Sequence, residues 1–274
     1  TQKQASSVLK MSSNLLADLQ HKVALVTGSS SGIGEASVKL FSELGAQVVI
    51  TGRNEQKVSR VAQECEQLSP FNYKPLTVVG DLRNDDHIEQ LMKKTVEKYA
   101  KIDILVNSAG SDIASLENSI LDEDFLEKFD KVWRLDVTAM IKVCRLAMPY
   151  LIESKGVIVN ISGNKSDHPN EAHVFAHVVG KAAIDALSRN LALEFGEKGV
   201  RVNTVNPGWT KTSLTDPFFQ NTQFLEFAKS QSVLNHVAEA REMATKVAFL
   251  ASNASSFVTG HHLIADGGSL LKST

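Results

Sequence analysis

The sequence predicts an α/β fold, a single domain built on a doubly wound parallel sheet of about seven strands. Three observations predict it. From residue 22 onwards, strand-sized apolar runs alternate with segments whose apolar residues recur at helical spacing. The connections are short, and no linker, repeat or low-complexity tract interrupts the alternation. A glycine-rich turn joins the first strand to the first helix, at the carboxyl end where such sheets bind ligands.

The elements follow in order. Residues 22–27 (KVALVT) form a continuous apolar run ending at glycines, as a strand buried on both faces does. Residues 32–44 then place Ile33, Ala36, Leu40, Phe41 and Leu44 on one helical face. Strands are predicted at 47–51, 76–79, 102–106, 156–161, 201–205 and 262–265. Helices are predicted at 55–69, 85–100, 122–152, 172–196 and 239–252. Right-handed crossovers between parallel strands set these helices on both faces of the sheet.

The segment 213–235 breaks this rhythm, with Phe218, Phe219, Phe224 and Phe227 set among polar residues. Two readings stand open. The phenylalanines pack a short helical excursion onto the core, or the segment is an apolar lid over a cleft, since it leaves a strand's carboxyl end. A lid would suit a lipophilic small molecule.

Composition narrows the class. The chain has 274 residues, 43% hydrophobic and 22% charged, with a formal net charge of -2. No basic or acidic block points to nucleic acid or a membrane surface. The apolar runs fall far short of the ~20 residues of a membrane span. Residues 1–20 lack the apolar core of a signal peptide and are expected to be a flexible extension, with Met11 one candidate start and the domain at 21–274. Cys65 and Cys144 lack metal-like or redox-like spacing and are expected to be free thiols in the core, which suits a reducing, cytoplasmic setting.

The glycine-rich turn is Thr27-Gly28-Ser29-Ser30-Ser31-Gly32-Ile33-Gly34. Glycines allow a tight turn and a close backbone approach to a pyrophosphate, and the helix N-terminus adds free N–H groups and a positive dipole. The turn resembles the TGxxxGxG motif of the short-chain dehydrogenase/reductase family. Asn107-Ser108-Ala109-Gly110 after the fourth strand resembles the family's NNAG motif. Asn206-Pro207-Gly208 with Thr210 and Thr212 follows the sixth strand, and Asp266-Gly267-Gly268 closes the last. The likeness covers about residues 21–270 and implies a Rossmann-type fold that binds a nicotinamide nucleotide.

Carried over position by position, the resemblance implies that Ser30, Ser31, Ile33 and the neighbouring glycines cradle the phosphates. It places Asp81 and Leu82 at the adenine, and Asn107, Ala109 and Gly110 along the adenosine side. Pro207, Gly208 and Thr210 then count among the cofactor contacts, with Thr212 holding the nicotinamide carboxamide or phosphate. Asp81 is also a candidate N-terminal cap for the helix after it. The second strand ends Thr51-Gly52-Arg53-Asn54, with no carboxylate for a ribose 2′-hydroxyl. An arginine there suits a 2′-phosphate, so NADP(H) is expected over NAD(H).

The resemblance also implies a four-part proton relay of Tyr, Lys, Ser and Asn, and here the chain departs from the pattern. Gly180-Lys181-Ala182 sets Lys181 at the lysine, while His177 stands at the tyrosine position. Gly163 falls at the serine and Asp136 at the asparagine. An imidazole beside an ammonium ion is expected to be mostly neutral, unless Asp136 lies close enough to raise its pKa. Ordinary reductase activity is therefore expected to be impaired or absent, as in a cofactor-binding paralogue. The alternative is a divergent oxidoreductase using His177 and Lys181 on a lipophilic alcohol or ketone.

Strand alternation points Ser162 away from the side of residue 163, and Ser166 and His168 are weaker candidates to replace the missing hydroxyl. His173 and His177 have a metal-compatible spacing but no evident third ligand, so no metal is expected. His261 and His262 read as a structural pair. The family likeness implies a homodimer or homotetramer packed through helices 122–152 and 172–196. Val143, Leu146, Val178, Ile184 and Leu191 serve there as core or interface.

Overall fold

Valine- and leucine-rich runs pair into a sheet whose central strands are buried on both faces. The structure is a computed structural model that describes residues 16–111, 119–166 and 174–272. In chain order the elements are β1 (Val23–Thr27), α1 (Gly32–Glu43), β2 (Gln47–Gly52), α2 (Glu55–Leu68), β3 (Leu76–Val79), α3 (Asp85–Tyr99) and β4 (Ile104–Asn107). After the residues 112–118 come α4 (Phe125–Trp133), a π-helical turn (Arg134–Ala139), α5 (Met140–Ser154) and β5 (Val157–Ile161). The chain continues with α6 (Phe175–Phe195), β6 (Arg201–Pro207), β7 (Thr210–Lys211), α7 (Asp216–Phe219) and α8 (Thr222–Ser230). It closes with β8 (Ala238–Glu239), α9 (Ala240–Ala251) and β9 (His262–Ala265).

Seven strands form one sheet in the order β3-β2-β1-β4-β5-β6-β9. Each neighbouring pair is parallel. Strand alternation divides the core in two. Ala24, Val26 and Val159 pack with α1, α2 and α9 on one face. Leu25, Leu105 and Ile158 pack with α3, α5 and α6 on the other. The order reverses between β1 and β4, and the crevice at their carboxyl ends receives the glycine turn.

Several expectations change. Helix 122–152 is two α-helices joined by a π-helical turn, and that turn carries Asp136. Such a turn adds a residue to the helical circuit and re-aims side chains, which apolar periodicity does not report. The flexible extension expected at 1–20 does not reach its stated end. Leu19 is 1% exposed, and the Asp18 carboxylate accepts the Asn253 N–H at 2.8 Å, so these residues belong to the domain. The helix-capping alternative for Asp81 is overturned, because the Asn84 side chain accepts the Asp86 N–H at that position.

Val143 and Ile184 are core residues, Leu146 and Leu191 pack partly buried against the core, and Val178 lines a cleft. Cys65 and Cys144 are buried, and desolvation pushes each thiol pKa up to about 12. No helix among the described residues is long and apolar enough to cross a membrane.

Arg201 on β6 locks the end of α9. Its guanidinium donates to the carbonyls of Leu250, Ser252 and Val258 and to Ser255 Oγ, at 2.9 to 3.3 Å. These include carbonyls left without intrahelical partners at the end of α9, and a cation there also favours the helix dipole. Arg201→Met is expected to lower unfolding free energy by about 3 kcal/mol, since several acceptors lose a charged donor together. Urea denaturation checks this, and a loss below about 1 kcal/mol would contradict the role.

Candidate functional site

The first turn of α1 is fixed by glycines and leaves its backbone N–H groups without a side-chain cap. Gly28 sits at φ +63°, and a Cβ there would lie 2.7 Å from the Ala109 Cα. A Cβ on Gly34 would lie 2.5 Å from the Gly28 carbonyl oxygen, so both positions exclude a side chain. Ser31, at the N-cap, makes no side-chain cap bond, so it does not occupy the first-turn N–H groups. Ser30, Ser31, Gly32 and Ile33 line a cleft of about 1110 Å³ that runs along the carboxyl edge of the sheet. Gly34 does not line it and serves close packing of α1 on the turn instead.

The cleft also takes in Arg53, Asp81, Leu82, Ala109, Gly110, Pro207, Gly208, Thr210 and Thr212. Arg53 is exposed, with no hydrogen-bond or ion-pair partner among the described residues. Lys57, one turn into α2, lines the same end. Asp81 accepts from the Arg83 guanidinium and, at 2.9 Å, from the Arg83 N–H. The guanidinium bond leads in holding its carboxyl below the usual range, with the Arg83 N–H and the Arg53 charge adding to it. Thr212 faces the glycine turn, its Cβ 3.3 Å from where a Cβ of Gly32 would be. These groups fit a dinucleotide: an uncapped helix N-terminus, a backbone cradle and cations at the adenosine end.

Asn107 departs from expectation. Its side chain is 5% exposed and donates to Asn160 Oδ1 at 2.8 Å and to Cys144 Sγ at 3.3 Å. It ties β4 to β5 and α5 beneath the cleft, and its side chain does not line the adenosine side.

At the other end, Gly163, His177, Lys181 and Asp136 meet. Lys181 is 8% exposed and donates from Nζ to the Ile161 carbonyl at 3.1 Å. Its Nζ lies 3.9 Å from Asp136 Oδ2, too far for a direct hydrogen bond. Asp136 Oδ1 accepts both the N–H and the hydroxyl of Ser111 at 2.8 Å. A Cβ on Gly163 would sit 3.5 Å from Lys181 Cγ and 3.8 Å from His177 Nε2, which are ordinary contacts.

His177 Nδ1 is buried with no partner among the described residues. Burial, then the charges of Lys181 and Lys165, push its pKa down to about 3. Asp136 pairs with Lys181 rather than His177, so it does not raise the imidazole's pKa as the sequence had allowed. A folded pKa below the unfolded ~6.5 means that the unfolded chain takes up the proton first as pH falls. Stability is then lost from about pH 6.5 down to about 3, reaching about 2 kcal/mol by pH 5. His177→Gln is expected to remove that loss. Urea unfolding at pH 7.5 and 5 checks it, and equal losses in the two proteins would refute it.

Ser162 donates its hydroxyl to the Lys181 carbonyl at 3.1 Å, and Ser166 is spent on Asp185. His262 lies against Arg189 and the Asp185 carbonyl, a structural setting. His168 and His173 lie outside the described residues. The segment 213–235 contains α7 and α8. Phe218, Phe224 and Phe227 line the cleft, while Phe219 packs edge-on against Trp209. The segment therefore combines both readings, a helical excursion whose aromatics form the cleft wall.

Sequence reasoning missed Ser111, Lys57, Lys165 and Trp209. The last three had a signal in their positions, close after Arg53, Gly163 and Gly208. Ser111 had none, because its bond to Asp136 spans the π-helical turn.

Fold and cleft together define a Rossmann-type dinucleotide-binding protein. A family model described as enoyl-(acyl carrier protein) reductase matches residues 28–269. The chain belongs to the short-chain dehydrogenase/reductase family. It is 33% identical over 249 residues to a glucose 1-dehydrogenase of Gluconobacter oxydans, covering 90% of this chain and 91% of that one. It is 32% identical over 251 residues to a 3-oxoacyl-(acyl-carrier-protein) reductase of Thermotoga maritima, covering 91% and 98%. A short-chain dehydrogenase/reductase from Caenorhabditis elegans, solved with cofactor, superposes with TM-score 0.85 at 28% identity, covering 94% of this chain and 99% of that one.

Proposed function

We propose that this protein holds a nicotinamide dinucleotide, NADP(H) in preference to NAD(H), beside a proton relay that no longer supports ordinary carbonyl reduction. A bound nicotinamide would supply or accept hydride; the chain's own residues must then handle the proton. One observation carries the reading. The group at the tyrosine position is an imidazole with its pKa near 3, and the serine position has no side chain.

His177 is uncharged at neutral pH, so it has no acidic proton to give a developing alkoxide. As a base it is equally poor, because burial, and then the charges of Lys181 and Lys165, disfavour an imidazolium. Gly163 offers no hydroxyl to polarise a substrate oxygen. Lys181 keeps its place, and the resemblance gives it the nicotinamide ribose. Arg53 and Lys57 support a 2′-phosphate at the adenosine end.

A second reading is a divergent oxidoreductase with His177 and Lys181 acting on a lipophilic alcohol or ketone. The aromatic wall of Trp209, Phe218, Phe224 and Phe227 favours it. Assembly as a homodimer or homotetramer belongs to both readings. NADPH titration paired with turnover on a panel of alcohols and carbonyls separates them. Binding without turnover above buffer is expected. Robust turnover of any panel member would overturn the first reading, and absence of NADPH binding would defeat both.

A further inference from the structure

We propose that His87 is a specificity-determining residue of the cleft, becoming an imidazolium when a 2′-phosphate is bound, so that NADP(H) is held with a proton that NAD(H) does not recruit. This inference rests on the reading of the cleft as a nicotinamide dinucleotide site.

Position is the first argument. His87 lies in the first turn of α3, 7% exposed, and its ring reaches the end of β2, with Nε2 3.2 Å from Thr51 Oγ1. A Cβ on Gly80 would lie 2.1 Å from His87 Nδ1 and 2.5 Å from Cγ, so the imidazole occupies the place of a residue-80 side chain. The Gly80 N–H donates to the Gly52 carbonyl at 3.1 Å and ties the ends of β2 and β3 together. Thr51, Gly52 and Gly80 line the same end of the cleft as Arg53, Lys57 and Asp81. His87 therefore stands one layer of small residues behind the surface that Arg53 and Lys57 offer to a phosphate.

Charge agrees with that. Burial holds the imidazole's pKa below the usual histidine value, with the Asp81 charge acting against burial and the Lys94 charge with it. The remaining charged groups at this end are Arg53 after β2, Lys57 on α2, Arg83 before α3, and Asp85 and Asp86 on α3. Asp81 is held by Arg83, and Asp85 by Arg134 and Lys142. A phosphate monoester adds a charge of about −1.5 to −2 at pH 7, which favours the imidazolium. The Thr51 hydroxyl can accept from an imidazolium Nε2–H as well as donate to a neutral ring, so proton uptake breaks no hydrogen bond. Reciprocity sets the sign: a phosphate that favours the imidazolium binds tighter as pH falls. Protonation of the phosphate itself, near a pH of about 6, acts the other way, and equally in a variant without the imidazole.

The test measures NADP+ and NAD+ affinity by calorimetry at pH values of about 8 and about 6, either side of the histidine range. His87→Gln keeps a donor and an acceptor for Thr51 but forms no cation. The wild-type NADP+/NAD+ affinity ratio, divided by that of the variant, is expected to rise by about three- to tenfold between the two pH values. NMR titration of the wild-type His87 ring is expected to show protonation at higher pH with NADP+ than with NAD+ or in the free protein. That comparison decides alone if the variant fails to fold. A rise under about twofold, or a ring that titrates identically with and without NADP+, overturns the inference and leaves the dinucleotide reading standing. Binding of NAD+ without NADP+ also overturns it, and absence of binding by either nucleotide sinks the dinucleotide reading with it.

Discussion

Changing Asp136→Asn, Gly163→Ser and His177→Tyr together should create carbonyl reductase activity, raising kcat by about 10² to 10³ over the wild type. The geometry accommodates the change. A side chain at residue 163 meets Lys181 and His177 only at ordinary contact distances, so a serine hydroxyl can enter without displacing backbone. A phenol in place of the imidazole would lie beside the Lys181 ammonium, which lowers a phenol's pKa where it lowers the imidazole's below use. Asparagine at 136 keeps an oxygen for the Ser111 N–H and hydroxyl, now 2.8 Å from Asp136 Oδ1, while removing the negative charge near Lys181. Relay groups act as a unit, so each single change is expected to fall well short of the triple. Steady-state oxidation of NADPH against a carbonyl panel reads the result. A triple variant that binds NADPH yet matches the wild type would show that the substrate wall, not the relay, bars reaction.

Arg53→Asp should weaken NADPH binding by about 30-fold while leaving NADH affinity unchanged or improved. A charge-assisted bond to phosphate contributes about 1.5–3 kcal/mol, and a carboxylate in its place adds repulsion. Arg53 is exposed at the carboxyl end of β2 and tied to no partner among the described residues, so its removal disturbs little else. Nucleotide fluorescence titrations at low and moderate salt measure both cofactors. Equal loss for NADPH and NADH would mean that Arg53 covers the adenine face instead of reading the 2′-phosphate. Lys57→Ala is expected to act in the same direction with a smaller effect, since it sits a turn further along α2.

Much of the fold was legible because parallel strands buried on both faces write themselves as unbroken apolar runs. The partly exposed edge strands β3 and β9 also fall at the predicted residues, and the glycine turn lies at the predicted strand–helix junction. The strand predicted at 102–106 begins at Ile104, since Asp103 turns its carboxylate to the Val23 N–H at 2.8 Å. Asn107 sits in a motif that resembles a cofactor contact, yet its side-chain NH2 is spent on Asn160 and Cys144. Motif position tells which residue stands at the end of a strand. It does not tell where a side chain finds its best partner.

The Gly163, His177, Lys181 and Asp136 set shows both sides of this. The family resemblance implied which positions would gather at the carboxyl ends of β4 and β5, and the residue types implied that an imidazole beside an ammonium would be neutral. They also set the glycine turn whose close backbone packing excludes side chains. Tertiary structure decided where Asp136 went. The π-helical turn between α4 and α5 delivers its carboxylate to Ser111 and Lys181, leaving His177 with a nitrogen unpartnered among the described residues. It also decided that Trp209, Phe218, Phe224 and Phe227 form one cleft wall, while Phe219 packs edge-on against Trp209. Local pattern fixes which groups a chain offers, because propensity and burial act over a few residues. Their pairing depends on distances of a few ångströms between remote segments, and only the folded chain sets those.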